Sequence, residues 1–187
     1  MATLDRVFVR GLQAAYDAHL QGAEQAAANR RTAATREVRQ MLAEGSRRSR
    51  RQARRLGQVF ATVGLRPVRL RNEVMAGIRD ANVAMAADAP DALARDLGHI
   101  TSSRLAQHLF AVTYGTLRAY ARTLGNPAAA RLLGRTLAEV KRADADFSRV
   151  AGHLLRPGSG GGVLRAVGVL GMFAGSIALA RKIPLRG

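Results

Sequence analysis

Apolar positions recur along this chain every three to four residues, the spacing of an α-helix with one buried side. A first stripe, Leu4, Phe8, Leu12, Ala15, His19, Gly22 and Ala26, predicts a helix over about residues 4–28. A second, Val38, Leu42, Gly45, Ser49, Gln52, Leu56, Val59 and Val63, predicts one over about 35–63. Pro67, in "GLRPVRLRN", interrupts the pattern, and a shorter helix over about 72–87 carries Val74, Ile78 and Met85 inward. The third long helix runs from about Asp91 to Leu124, with Leu93, Leu97, Ile100, Arg104, Gln107 or His108, Ala111 and Tyr114 on its stripe. In "GNPAAARLL", Gly125 suits a helix C-terminus, Asn126 an N-cap and Pro127 the first helical position. The fourth long helix continues to about Leu155 through Leu133, Leu137, Val140, Asp144, Phe147, Ala151 and Leu154.

These stripes predict an all-α bundle, residues 1–156, of four long helices with one long crossover that carries a short extra helix. One long crossover is the ferritin-like arrangement rather than the simple up-and-down one. Residues 157–162, within "RPGSGGG", read as a flexible linker, and residues 163–187 as an apolar C-terminal helix with a basic end. No segment carries the two-residue alternation of a strand.

Composition narrows the chemistry. Apolar residues make up 48% of the 187, so a packed core is within reach, but only 4% are aromatic, so Ala, Leu and Val must build it. Cysteine is absent, which excludes disulfides and thiolate metal sites. No Ser/His/Asp triad or zinc spacing occurs, and "GSGGG" lacks the preceding strand and following Lys of a phosphate loop. The expectation is a non-enzymatic protein with no cofactor. "MATLDRVFVRGLQAAYDAHLQ" does not have the pattern of a signal peptide, so a cytoplasmic location is expected.

The blocks "TLDRVFVRGLQAAYDAHLQ", "RRLGQVFATVG", "MAGIRDAN", "HLFAVTYGTLRAYARTLG" and "AARLLGRTLAEVKRADADF" resemble, in the same order, those of the bacterial YciE/YciF family of ferritin-like proteins. "YGTLRAYARTLG" is the most specific of them. The resemblance implies a stress-associated four-helix protein, commonly a homodimer and usually regarded as metal-binding. This chain departs from the family at the positions the resemblance assigns to metal donors. His19 follows Ala18 where the family has Glu; Arg47-Arg48-Ser49, then Gln52, replaces Glu-Glu-Thr and a His or Gln. Gln107-His108-Leu109-Phe110 stands for Glu-His-Tyr-Glu, and Val140 follows Glu139 where a second Glu is usual. His19, Arg48, Gln52, Gln107, Phe110 and Val140 are thus substituted positions, while His108, Glu139 and Asp144 remain as candidate donors. A guanidinium cannot ligate a metal, so a degenerate metal site is expected, with residual di-metal binding or oxidase activity, as the resemblance implies, the alternative. Arg48 and Asp144, at matching heights of facing stripes, are expected to pair, with His19 or Gln107 completing the cluster.

Charge adds a second theme. The formal charge is +17, and residues 30–79 hold fourteen arginines against three glutamates. By periodicity Arg50, Arg51, Arg54 and Arg55 fall mostly on the outer face of the second helix, and with Arg47 they form a candidate polyanion surface. An anionic membrane, an acidic protein, non-specific nucleic acid and plain solvation are all open readings of that face. The C-terminal segment offers Gly168, Gly171 and Gly175 near one side, with Gly171 and Gly175 in a GxxxG spacing. Membrane insertion, docking on the protein itself and capture by a partner shell are the alternatives for it, and tethering of the bundle is the expectation.

Overall fold

The structure, a computed structural model, describes residues 3–156. Five helices account for nearly all of them: α1 (Thr3–Thr32), α2 (Arg36–Ala61), α3 (Glu73–Ala87), α4 (Ala92–Thr123) and α5 (Pro127–Leu154). The described residues contain no strand. The helix starts are written in side-chain chemistry. Thr35, Asn72, Asp91 and Asn126 each accept a hydrogen bond from the backbone N–H three residues on, satisfying a donor that the helix itself leaves free. Gly125, at φ 67°, supplies the left-handed turn between α4 and α5, and the Asn126 N–H returns to the Ala121 carbonyl at 2.8 Å.

Short connections make α1 and α2, and likewise α4 and α5, antiparallel neighbours. Cross-helix pairs fix the remaining directions. Thr32 meets His99 while His19 meets Tyr114, so α1 and α4 are antiparallel; Glu37 meets His153 while Arg55 meets Glu139, so α2 and α5 are too. α2 and α4 therefore run the same way, and residues 62–91 with α3 must carry the chain back along the helices. The core draws on α1, α2, α4 and α5, with Phe8, Leu12, Leu56, Phe60, Phe110, Tyr114, Leu117 and Leu133 almost fully buried. α1 approaches α4 so closely that a Cβ on Gly11 would lie 2.7 Å from a methyl of Leu117. Among the described residues no helix is long and apolar enough to cross a membrane.

Two buried carboxylates hold the connections. Asp17 accepts from Arg69 Nε at 2.7 Å, from the Asn72 N–H at 2.9 Å and from Gln21 at 2.6 Å, which latches the crossover to α1. Asp96 accepts from the N–H groups of Ala34 and Thr35, both at 2.8 Å, and so fastens the α1–α2 turn to α4. Neither was legible as an apolar position, and both show where the expected stripes need correction. On α4 the buried face passes through Asp96, His99, Ile100, Ala106, Phe110 and Tyr114, leaving Arg104 and His108 at the rim. On α3 it is Met75 and Asn82 that are buried, while Val74 is exposed. The cause is the same in both cases: α3 packs on the first half of α4, and the contact buries polar groups, among them Asn82, His99 and Ser102, that bond each other.

The Asp17 latch should be measurable. Asp17→Ala strands the Asn72 N–H and frees Arg69, and is expected to cost about 2–3 kcal/mol in urea denaturation. An unchanged midpoint would mean that the crossover is held by packing alone.

Candidate functional site

At mid-height of the helices, α1 places His19 inward, fully buried, where its ring stacks on Phe110 of α4 with centroids 3.9 Å apart and planes 7° from parallel. One turn further along α4, the Tyr114 hydroxyl lies 2.7 Å from His19 Nε2. A single proton serves that bond, carried by the ring or by the phenol. The other ring nitrogen, Nδ1, is buried without a hydrogen-bond partner. Burial pushes the His19 pKa down to about 3 and raises that of Tyr114, so both groups are held neutral.

Beside this neutral pair lies a charged one. Arg55 of α2 meets Glu139 of α5 fork to fork, with Nη2 to Oε1 at 2.8 Å and Nη1 to Oε2 at 2.9 Å. The same Nη1 donates to Thr136 Oγ1 at 2.9 Å, and Gln52 Nε2 donates to Glu139 Oε2 at 3.2 Å. Burial pushes the Glu139 carboxyl up, but the hydrogen bonds of Arg55 and Gln52 and the Arg55 charge outweigh it and hold the group below its usual range. Val140, the next residue, is buried in the apolar core. Among the described residues no group of three His, Cys, Asp or Glu side chains is arranged to hold a metal ion.

The structure separates other residues that the sequence placed together. Asp144 pairs with Arg104 of α4 at 2.9 Å and lies 3.6 Å from His108 Nε2; it does not pair with Arg48. Arg48 instead lines a surface recess with Arg51, Glu139, Arg142, Ala143 and Asp146. Matching height does not give matching direction: Arg48 lines a recess with Arg142 and Ala143 of α5, whereas Asp144 turns toward Arg104 of α4. Gln107 lines a small cleft with Gly22, Ser49, Met75 and Phe147, while His19 Nε2 meets Tyr114 instead. His108 is 64% exposed.

The arginines of α2 also divide. Arg47 and Arg51 share Glu44, at 3.0 and 2.7 Å. Arg50 and Arg54 are exposed and form no ion pair among the described residues. Arg55, expected on the outer face, is only 17% exposed and turns inward, because Glu139 and Thr136 supply the partners a buried guanidinium requires. Gly168, Gly171 and Gly175 lie outside the described residues, as do the linker and the apolar segment. Sequence reasoning missed Tyr114 as a polar partner, although its position four residues after Phe110 and the need of a buried phenol for a bond are both visible in the chain.

The buried histidine predicts acid sensitivity. The unfolded chain takes up a proton at His19 near pH 6.5, and the folded chain only near about 3, so the stability tied to His19 is complete above 6.5 and is lost as pH falls. His99, also pushed down by burial, acts in the same direction. Between pH 6.5 and 5 the native protein is expected to lose about 2 kcal/mol more than His19→Met does, read from urea midpoints at each pH. Parallel profiles would show that His19 does not carry the effect.

Comparisons with known proteins place this geometry. Residues 3–157 match a domain of unknown function, DUF892. The solved structure of the Escherichia coli stress protein YciF superposes with a TM-score of 0.78 at 26% identity, covering 82% of this chain and 98% of that one. YcfI from Rhodopseudomonas palustris, provisionally described as a structural protein, superposes with a TM-score of 0.76 at 25% identity, covering 79% and 94%. No protein of curated function matches. With the family domain spanning most of its length and YciF sharing its fold, the chain belongs to the DUF892 family of YciF-like proteins.

Proposed function

We propose that this protein is a non-enzymatic, ferritin-like family member whose metal centre has been replaced by a hydrogen-bonded plug. Its role would be structural and stress-associated, in keeping with the descriptions of YciF and YcfI. The observation that carries this reading is the centre of the helices. His19 is stacked against Phe110 and bonded to Tyr114, and both oxygens of Glu139 are engaged by Arg55. A di-metal carboxylate centre needs several anionic oxygens directed at one point. Here Phe110 and Val140 offer no donor atom, Gln52 is neutral, and the Glu139 charge is already balanced, so the residues present do not fit such a centre. Arg55 would also repel an incoming cation. The plug supports a scaffold role because its side chains are engaged with one another, through His19–Tyr114 and Arg55–Glu139, rather than directed at a ligand.

The reading makes a direct prediction for metal. Full-length protein, purified without chelator and loaded with iron or manganese under anaerobic conditions, is expected to retain clearly less than one ion per chain by elemental analysis. Two tightly held ions per chain would overturn the proposal.

The sequence of residues 163–183 adds a tethering element to the proposed role, directed at the cytoplasmic face of a membrane or at a partner. Cell fractionation tests this part separately. The full-length chain is expected in the membrane pellet and to resist release by high salt, since apolar insertion does not depend on screening. Complete release by salt would leave only electrostatic attachment.

A further inference from the structure

The excess arginine of this chain is not spread evenly over the protein. The acidic side chains are largely committed: Asp17, Glu24, Glu44, Glu73, Glu139, Asp144 and Asp146 pair with arginines, and Asp96 holds backbone N–H groups. Unpaired cations lie on several helices, and those on the outer face of α2 form one continuous row. Arg36, Arg39, Arg47, Arg50 and Arg54 are all exposed, and at about 100° per residue they fall within one stripe about 80° wide. Of these only Arg47 has a carboxylate partner among the described residues, and it shares that partner with Arg51. At the upper end of the stripe, Arg30 from α1 joins Arg36, Arg39 and Arg47 around one recess, whose other lining residues are Gln40 and Ala43. Four guanidinium groups thus border one hollow with no acid in its lining.

Two features make this more than a solvated face. First, Arg36 and Arg39 occupy the opening turn of α2, where the helix dipole disfavours a cation and favours an anion. Arg39 uses one nitrogen to bond the Ala33 and Ala34 carbonyls, at 3.2 and 2.9 Å, which orients its guanidinium beside the recess. Arg36 gains no such bond. Second, the stripe is nearly free of apolar side chains. The exposed large hydrophobics are Val7, Leu65, Val68, Val74, Val83, Leu105, Val112 and Leu155, and none lies between residues 30 and 54. A surface that inserts into lipid would need apolar groups among its cations. Planar guanidiniums in a straight row, with nothing to insert, suit a phosphodiester backbone.

We propose that the α2 stripe, starting at the Arg30–Arg36–Arg39–Arg47 recess and continuing through Arg50 and Arg54, binds the phosphate backbone of nucleic acid without reading its sequence. From Arg36 to Arg54 the stripe spans about 27 Å of helix, the length of about eight base pairs of duplex. Aromatic side chains for base stacking are absent from it, as is a helix-turn-helix placed for a groove, so the contact is to phosphates. Arg55 takes no part, since Glu139 has neutralised it.

The test uses the full-length chain and fluorescently labelled duplex DNA of two unrelated sequences, with anisotropy read across a salt series. A stripe variant carries Arg36→Gln, Arg47→Gln, Arg50→Gln and Arg54→Gln; Arg39 is kept because it bonds the α1–α2 turn. A control variant removes the same charge elsewhere, through Arg10→Gln, Arg122→Gln, Arg131→Gln and Arg135→Gln, all of them exposed. Circular dichroism and thermal midpoints confirm that both fold. The native chain is expected to bind both sequences equally at about 100 mM salt, with affinity falling steeply as salt rises. The stripe variant should lose at least about tenfold in affinity and reduce the log–log salt slope by about 3–4, at about 0.9 per lost phosphate contact. The control should bind within about threefold of the native chain. Equal losses in the two variants, no binding near that salt concentration, or binding to phosphatidylglycerol vesicles in place of DNA would each overturn the proposal.

Discussion

A guanidinium can turn in between packed helices only when a carboxylate meets it squarely, and the partly buried Arg55–Glu139 pair satisfies that condition between α2 and α5. The pair joins α2 to α5 and sets their relative register to within a hydrogen bond. Thr136 and Gln52 complete the partners of the two ions, so no charge is left uncompensated inside. Around it the packing is neutral: His19 shares one proton with Tyr114 and lies flat on Phe110. A missing partner in either cluster would leave a buried polar group unsatisfied, a cost comparable with a sizeable part of a domain's net stability.

That interior arrangement bears on the surface. With so few acids in the chain, each one spent on a buried or half-buried contact is unavailable to balance an exposed arginine. Asp17 and Asp96 hold connections, Glu139 holds the centre, and Asp144 ties α5 to α4. The uncompensated charge is left on the surface, and the outer stripe of α2 carries one row of it. Interior pairing and surface surplus are two sides of one distribution of charge, and the same helix, α2, contributes to both.

Similarity to YciF and YcfI extends over nearly the whole of those chains, so the fold is common property. In the proposed reading, the chemistry of the central layer distinguishes this member. Side chains without donor atoms, or with donors already engaged, occupy positions that the family resemblance assigns to carboxylates. His19, Phe110 and Tyr114 fill that layer with aromatic surface.

Much of this was legible in the chain itself. The apolar stripes of α1, α2 and α5 fixed their inward faces, with Phe8, Leu12, Leu42, Leu56, Leu133 and Val140 buried as their spacing requires. Asn126 marked one helix start as an N-cap, the starts near 35, 72 and Asp91 followed from the periodicity, and the short connections imposed antiparallel neighbours. These are local properties, set by backbone geometry within a few residues. The direction of each polar side chain was not local. Whether Arg55 faces water or Glu139, whether Asp144 meets Arg48 or Arg104, and which hydroxyl receives His19 depend on the azimuth and register of a second helix far away in sequence. Periodicity names the side of a helix that turns inward, but neighbouring positions differ by about 100°, enough to select a different partner helix. On the first half of α4 the buried side includes Asp96, His99 and Ser102 beside Ile100, so the hydrophobic pattern reported it only in part. Only the tertiary packing made those residues interior, because Asp96 finds its partners in the α1–α2 turn, and His99 and Ser102 find theirs in Asn82 of α3.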